Sequence, residues 1–412
     1  MAQVARRPLL RWIAAGSALA LTGCTPEPRR PSATGSGTVT PTQPMTATPE
    51  LPAEVEGVPF GPDGSHWPKH TPRPAQDLPS VEVECRWDGI RAAISAVTPE
   101  QAAQGLQILV APGTLDDLGG RDVLTHVGRT DWARNVLVLP RDGWGTVTMT
   151  GQTRFTSVHG VTFARFDAEF VGLHDCSRTA WAHSKLGQGL RIYAEQGNVS
   201  HCDVYEAVVP EAKVAEQDPF AYVAGHGVTL RDCTWEGCYG APIFRPESSR
   251  AHLDTLQMFG GGYYRGLVLK DTVLFGAHNS ALQLGGLNRH DPHEGTPFVT
   301  LDHSLLVSQT VANATRYPAP PGAELPPRDQ VINGAGEPGQ LYAKRSVVIG
   351  TIYTTQWAEV TSSFTSAERV VQSNRAAKGG WTFDEDLVAP SSRFLDKMSH
   401  TPDDDFLATI WS

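Results

Sequence analysis

His252 and Gln257 recur as His278 and Gln283, and both intervals are 26 residues (278 − 252 and 283 − 257). Asp254 and Asn279 stand between them. An imidazole near a carboxylate can give or take a proton. Amide side chains both donate and accept hydrogen bonds, as sugar hydroxyls require. Arg245 precedes the set, Arg289 follows it, and Tyr263 and Tyr264 offer aromatic faces. The expected catalytic residues are therefore Asp254, His252 and His278. The expected substrate binders are Gln257, Gln283, Arg245, Arg289 and Asn279. The same residues, stacked as ladders, would also simply stabilise a repeat, and both readings stand at this point.

A site of this kind needs elements that bring residues 26 apart together. The chain is rich in short β-branched runs, among them Val136–Leu139, Val158–Phe163, Leu190–Ile192, Gly227–Leu230, Leu267–Leu269 and Val347–Ile349. Gly, Asn, Asp and Pro separate the runs, which reads as all-β. Asp88–Val97 is the exception: a short amphipathic helix, with Asp88 placed to cap it. Five segments repeat an apolar residue, a polar one, Asp or His, then a small residue. They are Leu173–Cys176, Val199–Cys202, Leu230–Cys233, Leu269–Thr272 and Leu301–Ser304. Their final residues lie 26, 31, 39 and 32 apart, from 202 − 176, 233 − 202, 272 − 233 and 304 − 272. A constant motif at a variable period suits a solenoid whose loops absorb insertions. The Asp and His of the motif (Asp175, His201, Asp232, Asp271, His303) read as turn residues bonding local backbone.

The helix, the Ile108–Thr114 entry and the apolar-x-Asp-Cys ladder resemble the pectate-lyase-like superfamily over about residues 83–353. The resemblance implies a right-handed, single-stranded parallel β-helix with an N-terminal helix cap. Leu256, Met258, Leu282 and Leu284 would then point inward. Gln257 and Gln283 would stack outward at about 4.8 Å. That fold hosts many functions. Its lyases imply a base and groups that neutralise a uronate, for which Arg245, His252, Lys270 and Arg289 are candidates. Hydrolysis needs two carboxylates; Asp254 has no evident partner, with Asp232, Asp271 and Glu247 as options. The clustered calcium-binding aspartates of pectate lyases and the polygalacturonase motifs are missing, so no cofactor or metal is expected. A glycan-cleaving enzyme and a non-catalytic glycan-binding surface protein both remain open.

The ends set the address. Arg6, Arg7 and Arg11 precede a short apolar run, Trp12–Leu21, and then Leu21-Thr22-Gly23-Cys24. This reads as a secretory signal whose end resembles the bacterial lipobox, with Cys24 as the lipidated residue. Residues 1–24 would be the signal, 25–55 a disordered Pro/Thr/Ser-rich tether, and 56–412 the β-helix with a C-terminal extension. The chain would be held at the outer face of the cell membrane by lipid alone, as a monomer. Its formal charge is −10, which argues against nucleic acid and favours a neutral or weakly charged polysaccharide or cell-envelope glycan. Cys85, Cys176, Cys202, Cys233 and Cys238 are an odd count, so at least one thiol is free. Pairing between adjacent rungs, or of Cys233 with Cys238, stays open. Arg316–Gln340 reads as an excursion roofing a groove, and Asp403–Asp405 as a solvated tail.

Overall fold

Leu173, Ile192, Tyr222 and Met258 lie directly over one another on four consecutive strands. Val204, Trp235, Leu269, Leu301, Ala343 and Val360 form a second such row. All ten side chains are buried in one apolar cluster. No single coil could cover its own apolar face, so each coil depends on its neighbours. The computed structural model describes residues 45–284, 299–334, 341–353, 357–368 and 376–412, all within the unit Val39–Ser412. Among them 27 strands join coil to coil, and every pairing in this sheet is parallel. The fold is a parallel β-helix. A helix, Trp87–Ser95, covers its N-terminal end with Trp87, Ile90 and Ile94 turned inward. Arg86, not Asp88, occupies the N-cap position, and no side chain caps the helix.

The repeat is set differently from the five-segment alignment. Four successive coils make two left-handed corners only a few residues apart, each followed by an inward residue that is small in most of them. Register stacks Arg178, His201, Asp232 and Gly266 at the first corner, all with φ between 51° and 65°. It stacks His183, Glu206, Gly237, Asp271, His303, Arg345 and Ser362 at the second, with φ between 45° and 66°. The sequence alignment crossed from one corner to the other: Cys233 follows the first corner of its coil, whereas Thr272 follows the second. Thr272 belongs with Cys238, 34 residues earlier (272 − 238), and the apparent 39-residue interval disappears. Asp175 sits at a further left-handed turn, and its carboxylate accepts the backbone N–H groups of Glu195, Gln196 and Gly197. The turn role expected of these residues therefore holds for the backbone geometry.

Cys85, Cys176, Cys202, Cys233 and Cys238 are free thiols. All but Cys85 are fully buried, and burial raises the Cys176 thiol to about 12. Such a thiol is packing material, not a nucleophile.

Both ends of the domain differ from expectation. Leu51, Val55 and Phe60 are buried in a second apolar cluster with Phe394, Leu395, Met398 and Trp411. Packed structure thus begins before residue 56, because these apolar side chains cover the outside of the coils. The acidic run is no tail: Asp403 caps the helix Asp404–Ile410 by accepting the Phe406 N–H at 2.8 Å. Ala323–Glu324, in the expected excursion, pairs antiparallel with Ile243–Pro246. No helix among the described residues is long and apolar enough to cross a membrane.

Leu269 is central to its row and wholly enclosed. Leu269→Ala should lower unfolding free energy by about 2–5 kcal/mol, read by denaturant titration; a change under about 0.5 kcal/mol would mean the row is not close-packed.

Candidate functional site

The register brings the expected polar set together. Asp254 pairs with Ser280 and Gln257 with Gln283 on adjacent strands, Asp254–Gly260 and Ser280–Gln283. The Asn279 N–H donates to the Leu253 carbonyl at 2.8 Å, so His252 and His278 stand on neighbouring coils. Leu256, Met258, Leu282 and Leu284 are buried, and Gln257 and Gln283 face outward between them. Their row continues into Asn333 and Tyr353 and backward through Ala221 to Arg191. The next outward row holds Tyr193, with His174 stacked on it at 4.1 Å, then Val223 and Phe259. One wall of the helix therefore carries stacked amides flanked by aromatic faces.

Asp254 takes a role different from the one expected. Its side chain has 0% exposure, so it cannot touch a polymer outside. One oxygen, Oδ1, accepts hydrogen bonds from Asn279 Nδ2 at 2.7 Å and from Ser280 Oγ. The other, Oδ2, stands 3.1 Å from Nδ1 of His252, whose side chain is 54% exposed. A buried carboxylate thus stands against one ring nitrogen of a half-exposed imidazole, an arrangement that fixes its tautomer and orientation. The Asp254 hydrogen bond raises the His252 pKa above its ordinary value of 6.5.

Two neighbours escaped the sequence reading. Asp218 Oδ1 accepts the Asp254 N–H at 2.8 Å, and burial, reinforced by the Asp254 charge, raises its carboxyl to about 7. Arg191 donates to the Asp218 carbonyl at 2.9 Å and lies over the Phe170 ring. Neither belongs to the 26-residue motif: Asp218 lies just before the strand Phe220–Ala224, and Arg191 is two strands behind Gln257 in the same row.

The remaining expected residues divide. His278 is turned to the Glu324 carbonyl at 3.4 Å, and burial with the nearby Arg245 charge lowers its pKa. Arg245 is taken up by Glu324 at 2.6 Å and the Ala251 carbonyl at 3.3 Å. It therefore fastens the Ala323–Glu324 strand and is not free to bind substrate. Tyr264 is buried and donates to backbone carbonyls. Arg289 lies outside the described residues, as does Cys24.

A second polar assembly had no counterpart in the sequence reading. Residues 55–72 run as a strap across the coil corners. Glu206, fully buried, accepts the N–H groups of Gly64 at 2.8 Å and His66 at 3.2 Å, and the Trp411 indole at 2.6 Å. His183 Nε2 donates to the His66 carbonyl at 2.8 Å, and burial lowers its pKa to about 3. His303 holds the Val55 carbonyl at 3.1 Å and Asp271 at 2.6 Å. Glu206 and His183 both sit at left-handed corners, and of the two only Glu206 is an unusual occupant of such a position. His66, Glu236 and Asp271 lie within metal-ligating distance of one another. Lys270 already sits 2.6 Å from Glu236 and 3.6 Å from Asp271, and we assign no metal there.

No protein-family model matches the chain, and no curated protein does. Among solved structures it is similar to the ORF18 protein of Geobacillus virus E2, at 9% identity and TM-score 0.31. That alignment covers 74% of this chain and 61% of the viral one. It is also similar to a PL6 family polysaccharide lyase from Pseudopedobacter saltans, at 11% identity and TM-score 0.23, covering 76% and 96%. Both likenesses are remote, and the fold assignment rests on the strand register.

Asp254→Ala would strand the buried Ser280 donor, at about 1–3 kcal/mol, and release the half-buried Asn279 amide. His252→Ala keeps both donors paired but removes the partner of Asp254 Oδ2, so it should cost less than Asp254→Ala while costing more than an ordinary surface change. Thermal unfolding of the two variants should therefore separate them; equal losses would show that Asp254 is not the buried anchor.

Proposed function

We propose that the protein binds an extended polysaccharide along the Gln257–Gln283 wall and cleaves it by β-elimination, with His252 as the base. The observation that carries this reading is the exposed His252 imidazole, pinned through Nδ1 by an enclosed Asp254 at the end of the stacked amides. Elimination is favoured over hydrolysis because Asp254 is enclosed. Among the described residues that leaves Asp218 as the other carboxylate whose charge reaches His252, where hydrolysis wants two on the substrate.

In this reading Nε2 of His252 takes the proton from the carbon alpha to a uronate carboxylate. The C–H electron pair forms the new carbon–carbon double bond, and the bond to the glycosidic oxygen breaks. Asp218, with its carboxyl raised to about 7, is protonated in about half of the molecules at neutral pH, and in that form it gives the departing oxygen its proton. Arg191 offers the cation that a uronate carboxylate needs while the α-proton is lost. Gln257, Gln283 and Asn279 bind ring hydroxyls, and the Tyr193 and Phe259 faces take sugar rings. The substrate class is a weakly charged glycan carrying uronates, consistent with the chain's overall acidity. We place the protein outside the cell, held by lipid on Cys24, acting as a monomer on a polysaccharide or cell-envelope glycan and not on nucleic acid.

The test is a polysaccharide panel read by absorbance of unsaturated uronate and by reducing ends. His252→Ala should cost about 10²–10⁴-fold in rate with its fold intact. Product without the unsaturated chromophore would mean hydrolysis. Glycan binding with no product from any substrate would leave a non-catalytic surface binder. A base must be unprotonated, so activity should rise with pH through the His252 pKa, which Asp254 holds above 6.5. In Asp254→Asn that acid limb should move to lower pH; an unmoved limb would remove His252 from the mechanism.

A further inference from the structure

A half-enclosed cleft of about 360 Å³ lies between the strap and the first-corner face of the coils, away from the Gln257–Gln283 wall. Its coil side is built by register. Asp203 pairs with neither cysteine of the ladder but faces outward from its strand, one position past Cys202. Its Oδ1 accepts the Thr234 N–H at 2.8 Å. Tyr205 and Glu236 are direct cross-strand partners, and Asp232 stands at the corner. Its strap side is Lys69 and His70, both exposed.

The strap side is fixed before any ligand arrives. The Thr71 N–H closes a turn on the Pro68 carbonyl at 3.0 Å, and the Asn135 N–H holds the His70 carbonyl at 2.8 Å. Thr71 Oγ1 bonds Thr162 Oγ1 at 2.6 Å, and the Trp67 indole caps the Thr71 carbonyl at 3.1 Å. Lys69, by contrast, makes no hydrogen bond or ion pair among the described residues. Arg178, also in the lining, is spent on the Thr130 and Trp132 carbonyls.

The lining decides what fits. A small anion would face three carboxylates, on Asp203, Asp232 and Glu236. A small cation would face Lys69 and His70, with the Arg178 charge behind them. An apolar molecule would leave all of these groups desolvated and unpaired, which is costly. A ring of hydroxyls suits them all, because each hydroxyl donates to a carboxylate and accepts from an ammonium or imidazole. The Tyr205 ring and the Ala180 and Val268 side chains give the ring's apolar edge a surface. The volume is at the lower end of small-molecule pockets.

We propose that this cleft is a second binding site, which takes one neutral monosaccharide unit between the strap turn at Lys69–His70 and the coil carboxylates of Asp203 and Glu236. It is carried by residues that the elimination chemistry does not use, so either reading can fail alone. Burial that raises the Asp203 carboxyl to about 7, while Glu236 is held to about 2 by its bonds to His66 and Lys270 against the effect of burial, gives the cleft both a hydroxyl donor and a charged acceptor near neutral pH.

The experiment is saturation-transfer NMR and titration of the full chain with glucose, galactose, mannose and N-acetylglucosamine, with glucuronate and glucosamine as charged controls. At least one neutral sugar should bind more tightly than either charged control. The double substitution Lys69→Ala with His70→Ala, on exposed side chains, should weaken it about tenfold or more, as one lost polar contact of about 1.4 kcal/mol would. Asp203→Asn should weaken it as well, and His252→Ala should leave it unchanged. Absence of neutral-sugar binding would overturn the proposal. So would preference for a charged sugar, indifference to the Lys69/His70 change, or loss of binding in His252→Ala.

Discussion

Backbone hydrogen bonding between consecutive coils is the constraint on which the rest depends. Parallel pairing fixes which residue lies over which, and a slip of one position would turn every inward side chain outward. The rows of Leu, Val, Ile and Trp inside, and of Gln, Asn, Glu and Lys outside, are consequences of that one register. It also explains the ion pairs along one outer row. Glu236, Lys270, Asp302 and Lys344 are successive partners, so alternating charges fall side by side, at 2.6 Å for Glu236 with Lys270 and 2.8 Å for Asp302 with Lys344.

The same register builds the His252 centre. Asp254 and Ser280 are far apart in sequence but opposite in the sheet, and the interior hydrogen bonds they share are what hold the carboxylate in place. Two unlike surfaces result. One wall is long, open and lined with amides and aromatic faces. The other is a short cleft closed by the strap, whose own position depends on Glu206, His183 and His303 at the second corner. A buried carboxylate such as Glu206 is tolerated because several backbone donors and one indole converge on it.

Much of this was legible in the sequence. Short β-branched runs set off by turn residues announced the strands, and the 26-residue interval correctly placed Gln257 beside Gln283. The corner assignment was not legible. Asp232-Cys233 and Gly237-Cys238 are the same kind of dipeptide in one coil, and only register separates them. The burial of Asp254 and the Glu324 partner of Arg245 were not legible for a related reason: residue type tells what a side chain can do, whereas burial and a nearer partner decide what it does. The strap left little trace, since residues 55–72 lack periodicity and are held through backbone groups that any sequence carries.

The central claim is that residues one coil apart become neighbours on a shared wall. Cross-linking tests it most directly, with Gln257→Cys and Gln283→Cys introduced together, a short bifunctional thiol reagent, and peptide mapping. Four of the five native thiols within the described domain are buried and shielded. The account predicts efficient linkage of 257 to 283 in the folded protein, and none when 257 is paired with a cysteine at the inward position 282. Failure of the 257–283 link, or equal linkage through 282, would contradict the register and with it both sites.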